Sequence, residues 1–237
     1  MKFVVNNLCL WVAPEQQIAE LRQHTYCDLD LSWVAPMQRR RLSPFMKMAL
    51  HTLQQAQAEH SHIAINFSSR HGDLPKTAHL LHALVEEEPL SPTAFGLSVH
   101  NAATGIFSII KNNTAPMNAI AGGQDSVISN LIDGYARIQS GIENCILVAH
   151  TESVLPEEYL PFADEKQIDH SVAFVLSPYV EGESYFELTK LSGSTDAGNT
   201  DSVLPLSIQL AQALSSKESS ALLSHQQSAW MLQHYGG

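Results

Sequence analysis

PMNAIAGGQDSVISNLIDGYARIQSG, residues 116–141, passes from an apolar segment through two glycines into a helical pattern with no loop between them. MNAIAGG reads as a buried strand. From Gln124 onward Val127, Leu131, Tyr135 and Ile138 recur on one helical stripe, and Gly141 stands where a C-cap stops a helix. A strand that opens straight into a helix sets its first helical side chain among unpaired backbone N–H groups, at the positive end of the helix dipole. Such a tip suits a nucleophilic Ser, Cys or Thr that attacks a carbonyl and holds a covalent adduct. Here Gln124 occupies it. A carboxamide donates and accepts hydrogen bonds but cannot carry an acyl group, and Ser126, a little further on, suits capping better than attack.

Outward from this junction the chain alternates strands and helices. FVVNNLCLWVA reads as a first strand, and Ser43-Pro44 opens a helix through FMKMALHTLQQAQAEH. HIAINFSS is a short apolar strand. Asp73 fits the cap of a helix through PKTAHLLHALVEEE, whose Leu74, Ala78, Leu81, Leu84 and Val85 form an apolar face, with Ser91-Pro92 ending it. ENCILVAH and Asp169 to Leu176 read as further buried strands, and SYFELTKLSG alternates like a strand at a sheet margin. After Gly193 the pattern predicts a polar loop, a helix from Leu204 to Lys217 and a last helix from Ser219 to Tyr235 carrying Leu222, Leu223, Gln226, Trp230 and Met231. The expected fold is α/β, a mixed, mostly buried sheet flanked by helices, with a short helical tail.

Composition excludes several classes. The 237 residues are 44% hydrophobic and 16% charged, enough to bury a core. Thirteen basic against 24 acidic residues give −11, with the basic residues scattered apart from Arg39-Arg40-Arg41, so nucleic acid is not an expected partner. The N-terminal MKFVVNNLCLWVAPEQQ is too short and too polar for a signal peptide or membrane span, which predicts a soluble, cytoplasmic protein without membrane contact. Cys9, Cys27 and Cys145 lack C-x-x-C spacing and read as reduced structural thiols. The 12 histidines include His60-x-His62 and His79-x-x-His82 near Glu86, yet no H-E-x-x-H occurs, and they read as surface and semi-buried residues. No metal or cofactor is expected.

LSPTAFGLSVHNAATGIFSIIKNNTAPMNAIAGGQDSVISNLIDGYARIQSGIENCILVAHTES, residues 90–153, carries a further pattern. Pro92 and Phe95 precede Ser98, followed by Asn101, Gly105, Ser108-Ile109, Pro116 opening a strand, Gln124, Gly141 and Glu152. This order resembles the central block of β-ketoacyl-acyl carrier protein synthases, and Gln124 falls on the nucleophilic Cys, with the interval to Gly141 matching without a gap. RRRLSPFMKMAL is similar to the family's early Arg-rich turn and helix, and DHSVAFVLSP to the strand that ends its first half, so the likeness spans about residues 1–192. The resemblance implies a thiolase-like N-terminal half over 1–192. Residues 193–237 would form a helical tail in place of the second half, which in full ketosynthases brings two catalytic histidines and an oxyanion-hole amide.

Gln at the nucleophile position is familiar from chain-length factors, which pair with an active ketosynthase, and from Gln-type decarboxylating loading ketosynthases. The chain looks like the truncated ketosynthase-like proteins of aryl-polyene clusters. The implied role is a non-catalytic subunit, with no catalytic residue of its own, pairing with a Cys-type ketosynthase and shaping its acyl tunnel. The alternative is a Gln-type malonyl-carrier-protein decarboxylase acting in priming. By position, Ala94, Phe95, Ser98, His100 and Asn101 fall on the family's cross-dimer pocket, with Ala94 and Ser98 small enough to leave room for a long polyene. Pro116 to Ala121, with Asn118 and Ile120, would be the interface strand. Carrier proteins are acidic, so a subunit at −11 is expected to meet them only indirectly, through its partner.

Overall fold

The computed structural model describes residues 1–14, 28–192, 203–225 and 228–236; Cys27, Gln226 and the polar loop expected after Gly193 lie outside them. In chain order the elements are β1 (Lys2–Val12), α1 (Pro36–Arg39), α2 (Pro44–Gln57), β2 (Ala64–Ser68), α3 (Leu74–Val85), α4 (Pro92–Gly96), α5 (Ala102–Lys111) and β3 (Met117–Ile120). There follow a 3₁₀ turn (Gly123–Asp125), α6 (Ser126–Gln139), β4 (Ile146–Glu152), a 3₁₀ segment (Glu157–Phe162), β5 (His170–Pro178), β6 (Tyr185–Lys190), α7 (Leu206–Ser216), β7 (Ser220–Ser224) and β8 (Ala229–Tyr235).

All eight strands join one mixed sheet in the order β3-β2-β4-β5-β1-β6-β8-β7. β2 runs parallel to both β3 and β4, while β5, β1, β6, β8 and β7 pair antiparallel. The near-continuous apolar runs of β2, β4 and β5 are explained by burial on both faces. Ala64, Ile146, Val148, Val172, Phe174 and Leu176 pack under α6 and α7, whereas Ile65, Phe67, Leu147, Ala149, Ala173 and Val175 pack under α2 and α5. The interruption of β1 at Asn6-Asn7 is a register shift between Asn6 and Cys9, with Asn7 in the left-handed region at φ 53°. Asn tolerates that conformation better than most residues. Ser43 and Asp73 cap α2 and α3 through the Met46 and Lys76 N–H groups, and Gly141 (φ 73°) follows α6, as the sequence implies.

Several expectations are corrected. The segment Ser219–Tyr235 is not a helix but the hairpin β7–β8: β6 offers an edge, and β8 pairs with it from Tyr185↔Tyr235 to Lys190↔Trp230. Trp230 and Leu232, two residues apart, then point into the core beside α7, a period-2 burial that the helical stripe had masked. β6 is consequently an inner strand and β7 the margin. β3 is not buried: it is the opposite edge, with Met117, Asn118 and Ala119 exposed. The apolar face of α3 also faces outward at Leu81, Leu84 and Val85, leaving only Ala78 and Leu80 buried. Ser91 does not only end α3; its hydroxyl caps α4 through the Ala94 N–H. An additional helix, α5, was not anticipated, although Ala103 and Phe107, with Ile106 and Ile110, have helical spacing. Among the described residues no helix is long and apolar enough to cross a membrane.

Candidate functional site at the strand-to-helix junction

The junction is built by its glycines. Gly123 adopts φ +62°, and a Cβ on Gly122 would lie 2.5 Å from Ser129 Oγ, so the chain turns from β3 into α6 with no room for larger residues at 122. Ser126, 1% exposed, accepts from the Gly122 N–H at 3.0 Å and donates to the Gly123 carbonyl at 2.7 Å. Its hydroxyl staples the turn and does not cap α6 as expected, since it reaches back to Gly122 and Gly123 and α6 starts without a side-chain cap.

Gln124 is half-buried. Its Nε2 donates to Asp164 Oδ2 at 2.6 Å, and Asp164 in turn takes a two-point contact from Arg70, at 2.6 and 2.8 Å. The Arg70 hydrogen bonds hold the Asp164 carboxyl below its usual range. Behind this row Glu152, the last residue of β4, accepts the Arg70 backbone N–H. Burial pushes Glu152 up to about 8, with Glu165 adding repulsion against the opposing N–H donors of Arg70 and His71. Glu165 is raised to about 7, again chiefly by burial.

Two histidines close the floor. His150 meets Ser68 Oγ through Nδ1 at 2.9 Å, and burial, with His170 and His100 nearby, drives it well below the imidazole range. His170 Nδ1 donates to the Ile168 carbonyl at 2.8 Å, so Nε2 accepts from Ser207 at 2.6 Å; burial takes this ring down to about 4. Burial favours the neutral form of both rings and of Glu152, which works against an ion pair at the 3.4 Å approach of His150 Nε2 to Glu152 Oε1. Asn130 on α6 is fully buried and ties the helix to the sheet, donating to the Asn66 and Ala149 carbonyls at 3.2 and 2.9 Å. The site presents a neutral, hydrogen-bonding tip over a mostly uncharged floor, with no thiol or activated hydroxyl at the tip.

The other residues picked out from the sequence divide into two places. His100, Asn101 and Asn118, with Thr104, Met117 and Ala119, line a cavity of about 250 Å³ between the start of α5 and the free edge β3. His100 Nε2 donates to the Ser69 carbonyl at 3.0 Å and its ring meets Phe67 edge-on; Asn118 donates to Asp133 at 3.1 Å. Ala94, Phe95 and Ser98 do not line that cavity: Phe95 on α4 is 60% exposed, Ala94 and Ser98 are half-buried, and Ser98 Oγ donates to the Phe95 carbonyl at 2.8 Å. Pro116 is exposed and Ile120 half-buried, at the two ends of the edge strand. Sequence reasoning missed Arg70, Asp164 and Glu165, which lie in loops and carry no periodic signal. Of the basic triplet, Arg40 and Arg41 are exposed, and Arg39 reaches the Leu31 carbonyl at 3.4 Å. His82 meets Glu158 at 3.1 Å on the surface, and no group of three or more His, Cys, Asp or Glu among the described residues is placed to hold a metal ion.

The family model described as beta-ketoacyl synthase, N-terminal domain, matches residues 11–233. The chain belongs to this family. The match of the β-ketoacyl synthase N-terminal domain runs past residue 192 to include the hairpin, which extends the likeness beyond the part legible in the sequence. No curated protein shows significant similarity to the chain. Among solved structures, a chain of the ketosynthase (ApeO) in complex with its chain length factor (ApeC) from Xenorhabdus doucetiae superimposes with a TM-score of 0.82 at 22% identity, covering 98% of this chain and 99% of that one. A chain of the ishigamide ketosynthase/chain length factor gives 0.67 at 12% identity, covering 90% and 86%. A chain from a type II polyketide synthase acyl-carrier protein in complex with its ketosynthase bound to the hexaketide, AntDE:AntF, gives 0.69 at 10% identity, covering 100% and 99%. At these identities the likeness establishes the fold, a thiolase-like ketosynthase fold with a mixed sheet flanked by helices.

Proposed function

We propose that the chain is a non-catalytic chain-length-factor subunit, which pairs with a Cys-bearing ketosynthase and shapes the acyl tunnel in aryl-polyene or polyketide elongation. The observation that carries this reading is Gln124: the family's nucleophile position holds a carboxamide fastened to Asp164, which cannot form the thioester that condensation requires. The free edge of β3 supports the pairing. The Ile65 and Ser69 N–H groups bond to the Pro116 and Ile120 carbonyls, so the even-numbered residues of β3 turn their backbone toward β2 while Met117 and Ala119 turn theirs outward. An exposed row of unpaired backbone groups invites a partner strand. The cavity of His100, Asn101 and Asn118 lies beside that edge, where a partner's chain or its acyl cargo would meet it. Ala94, Phe95 and Ser98, outside that cavity, are assigned to a separate part of the cross-subunit wall. Residues 1–192 supply the ketosynthase-like frame, and a cytoplasmic location follows from the proposed role.

Co-expression with the Cys-type ketosynthase tests the reading. Wild type is expected to elute as a one-to-one heterodimer by size-exclusion with mass determination. Ala119→Pro removes an outward N–H without touching the β2 ladder, and is expected to abolish the complex while the far-ultraviolet circular dichroism stays native. A complex untouched by Ala119→Pro rejects β3 as the interface. Malonyl-carrier-protein decarboxylation by the chain alone, lost in Gln124→Ala, rejects the non-catalytic role in favour of a Gln-type decarboxylase.

A further inference from the structure

Gln124 Oε1 and Glu152 Oε2 are both buried and both without a hydrogen-bond partner in this structure, and Glu152 is only 6% exposed. Gln124 and Glu152 line one cavity of about 10 Å³, together with Arg70, His150, Glu165 and Ser207, which is room for about one water. Two buried acceptors beside one small space require a donor between them. The Arg70 and His71 N–H groups and the Ser69 hydroxyl already face Glu152, and the other donors around the cavity are committed. Both guanidinium nitrogens of Arg70 that reach this region bond to Asp164, Gln124 Nε2 bonds to the same carboxylate, and the Ser207 hydroxyl serves His170.

The charges facing Glu152 come from every element around it. The loop after β2 brings Arg70 and His71, β4 brings His150, the loop after the second 3₁₀ segment brings Asp164, Glu165 and the exposed Lys166, β5 brings His170, and α7 brings only the neutral Ser207. Arg70 is spent on Asp164, and His150 and His170 are buried and neutral. Lys166 is exposed, so no buried cation remains to offset a second carboxylate. Glu152 Oε1 already accepts the Arg70 N–H, which leaves Oε2 as the oxygen that bears a proton.

We propose that Glu152 is held as a carboxylic acid with its proton on Oε2, and that it donates through one bound water to Gln124 Oε1. The junction thereby contains a binding site for a single water and a buried proton donor. With Nε2 on Asp164 and Oε1 on the water, the Gln124 carboxamide has one orientation. Ionising Glu152 reverses the bond between it and the water, which then donates to Glu152 Oε2 as well as to Gln124 Oε1, so the carboxamide keeps its orientation while the proton behind it is lost. This inference concerns the junction's own chemistry and stands or falls independently of pairing with a ketosynthase.

The test is a titration of the full chain labelled with ¹³C at the glutamate carboxyls, followed by NMR. Two glutamate resonances are expected to remain in the acid position past about pH 6, where ordinary carboxyls are ionised: one that moves at about pH 7, from Glu165, and a later one that moves only toward pH 8. The later one is expected to vanish in Glu152→Gln and to persist in Glu165→Gln. Complete ionisation of every glutamate by about pH 6, or a late resonance that vanishes only in Glu165→Gln, overturns the proposal. Should Glu152→Gln fail to fold, Gln124→Leu removes the acceptor and is expected to shift the late resonance; an unmoved resonance overturns the coupling. A high-resolution crystal structure near neutral pH is expected to show one water between the two oxygens, and a direct contact or an empty gap there overturns the bridge.

Discussion

Gly123 turns its backbone through φ +62° so that β3 can hand the chain to α6 within a few residues, and an added Cβ there meets nothing within 4 Å. The cost of a side chain at this position is therefore purely conformational, about 1–2 kcal/mol for an L-residue in the left-handed region. Gly123→Ala is expected to lower the unfolding free energy by about that amount, with Gly123→Asn losing less because Asn tolerates this region. Urea denaturation with an unchanged m-value is the check, and an unaffected midpoint for Gly123→Ala contradicts the account. The junction was legible in the sequence because its parts are contiguous: two glycines, a tip residue and a helical stripe follow one another. The residues that hold the tip were not. Asp164 reaches Gln124 across 40 positions and Arg70 across 94, and neither stands in a pattern that spacing reveals.

Elements were legible where an apolar period met a cap, and misread where the sheet decided. α2 and α6 follow their stripes and α3 its cap, but strand position in the sheet is a tertiary choice, and so β3 became an edge and the tail a hairpin. That hairpin also reaches the junction. Asp125 Oδ1 accepts from His225 Nε2 at 3.1 Å, from Ser228 Oγ at 2.7 Å and from Trp230 Nε1 at 3.4 Å. Aspartate, histidine and serine meet here without forming a hydrolytic triad, since one imidazole nitrogen faces both partners and Ser228 gives its proton to the carboxylate. The group is a latch between the residue after Gln124 and the two flanks of the hairpin turn. Removing a charged acceptor of this kind costs about 1.5–3 kcal/mol. Asp125→Ala is expected to lose that much stability and to speed hydrogen exchange in residues 220–235 and 122–127, while the β4–β5 ladder stays protected. Uniform acceleration over the whole sheet contradicts a local latch.

At the scale of the molecule, the pH dependence of stability follows from a core that holds acids protonated and imidazoles neutral. Glu152 rises from 4.5 to about 8 on folding, and Glu165 to about 7. For a raised carboxyl the contribution is whole below the unfolded value and is lost as pH climbs to the folded one, so these two weaken the fold progressively from 4.5 upward. His170, taken from 6.5 down to about 4, acts in reverse, stabilising above 6.5 and failing as pH falls, and His150 does the same. Between 4.5 and 6.5 the two kinds of group oppose each other. Above 6.5 the histidines have nothing more to give, and Glu152 continues alone past 7, removing about 1 kcal/mol between 7 and 8. With His51 and His71, also lowered by burial, adding to the histidine side, unfolding free energy measured in urea is expected not to fall before about pH 6.5 and to decline toward 8. Glu152→Gln, which keeps the shape without the proton, is expected to flatten most of that decline, leaving only the part that Glu165 contributes up to about 7. A wild-type protein whose stability holds level or rises from 6.5 to 8 would show that the floor beneath Gln124 is already ionised in the native state.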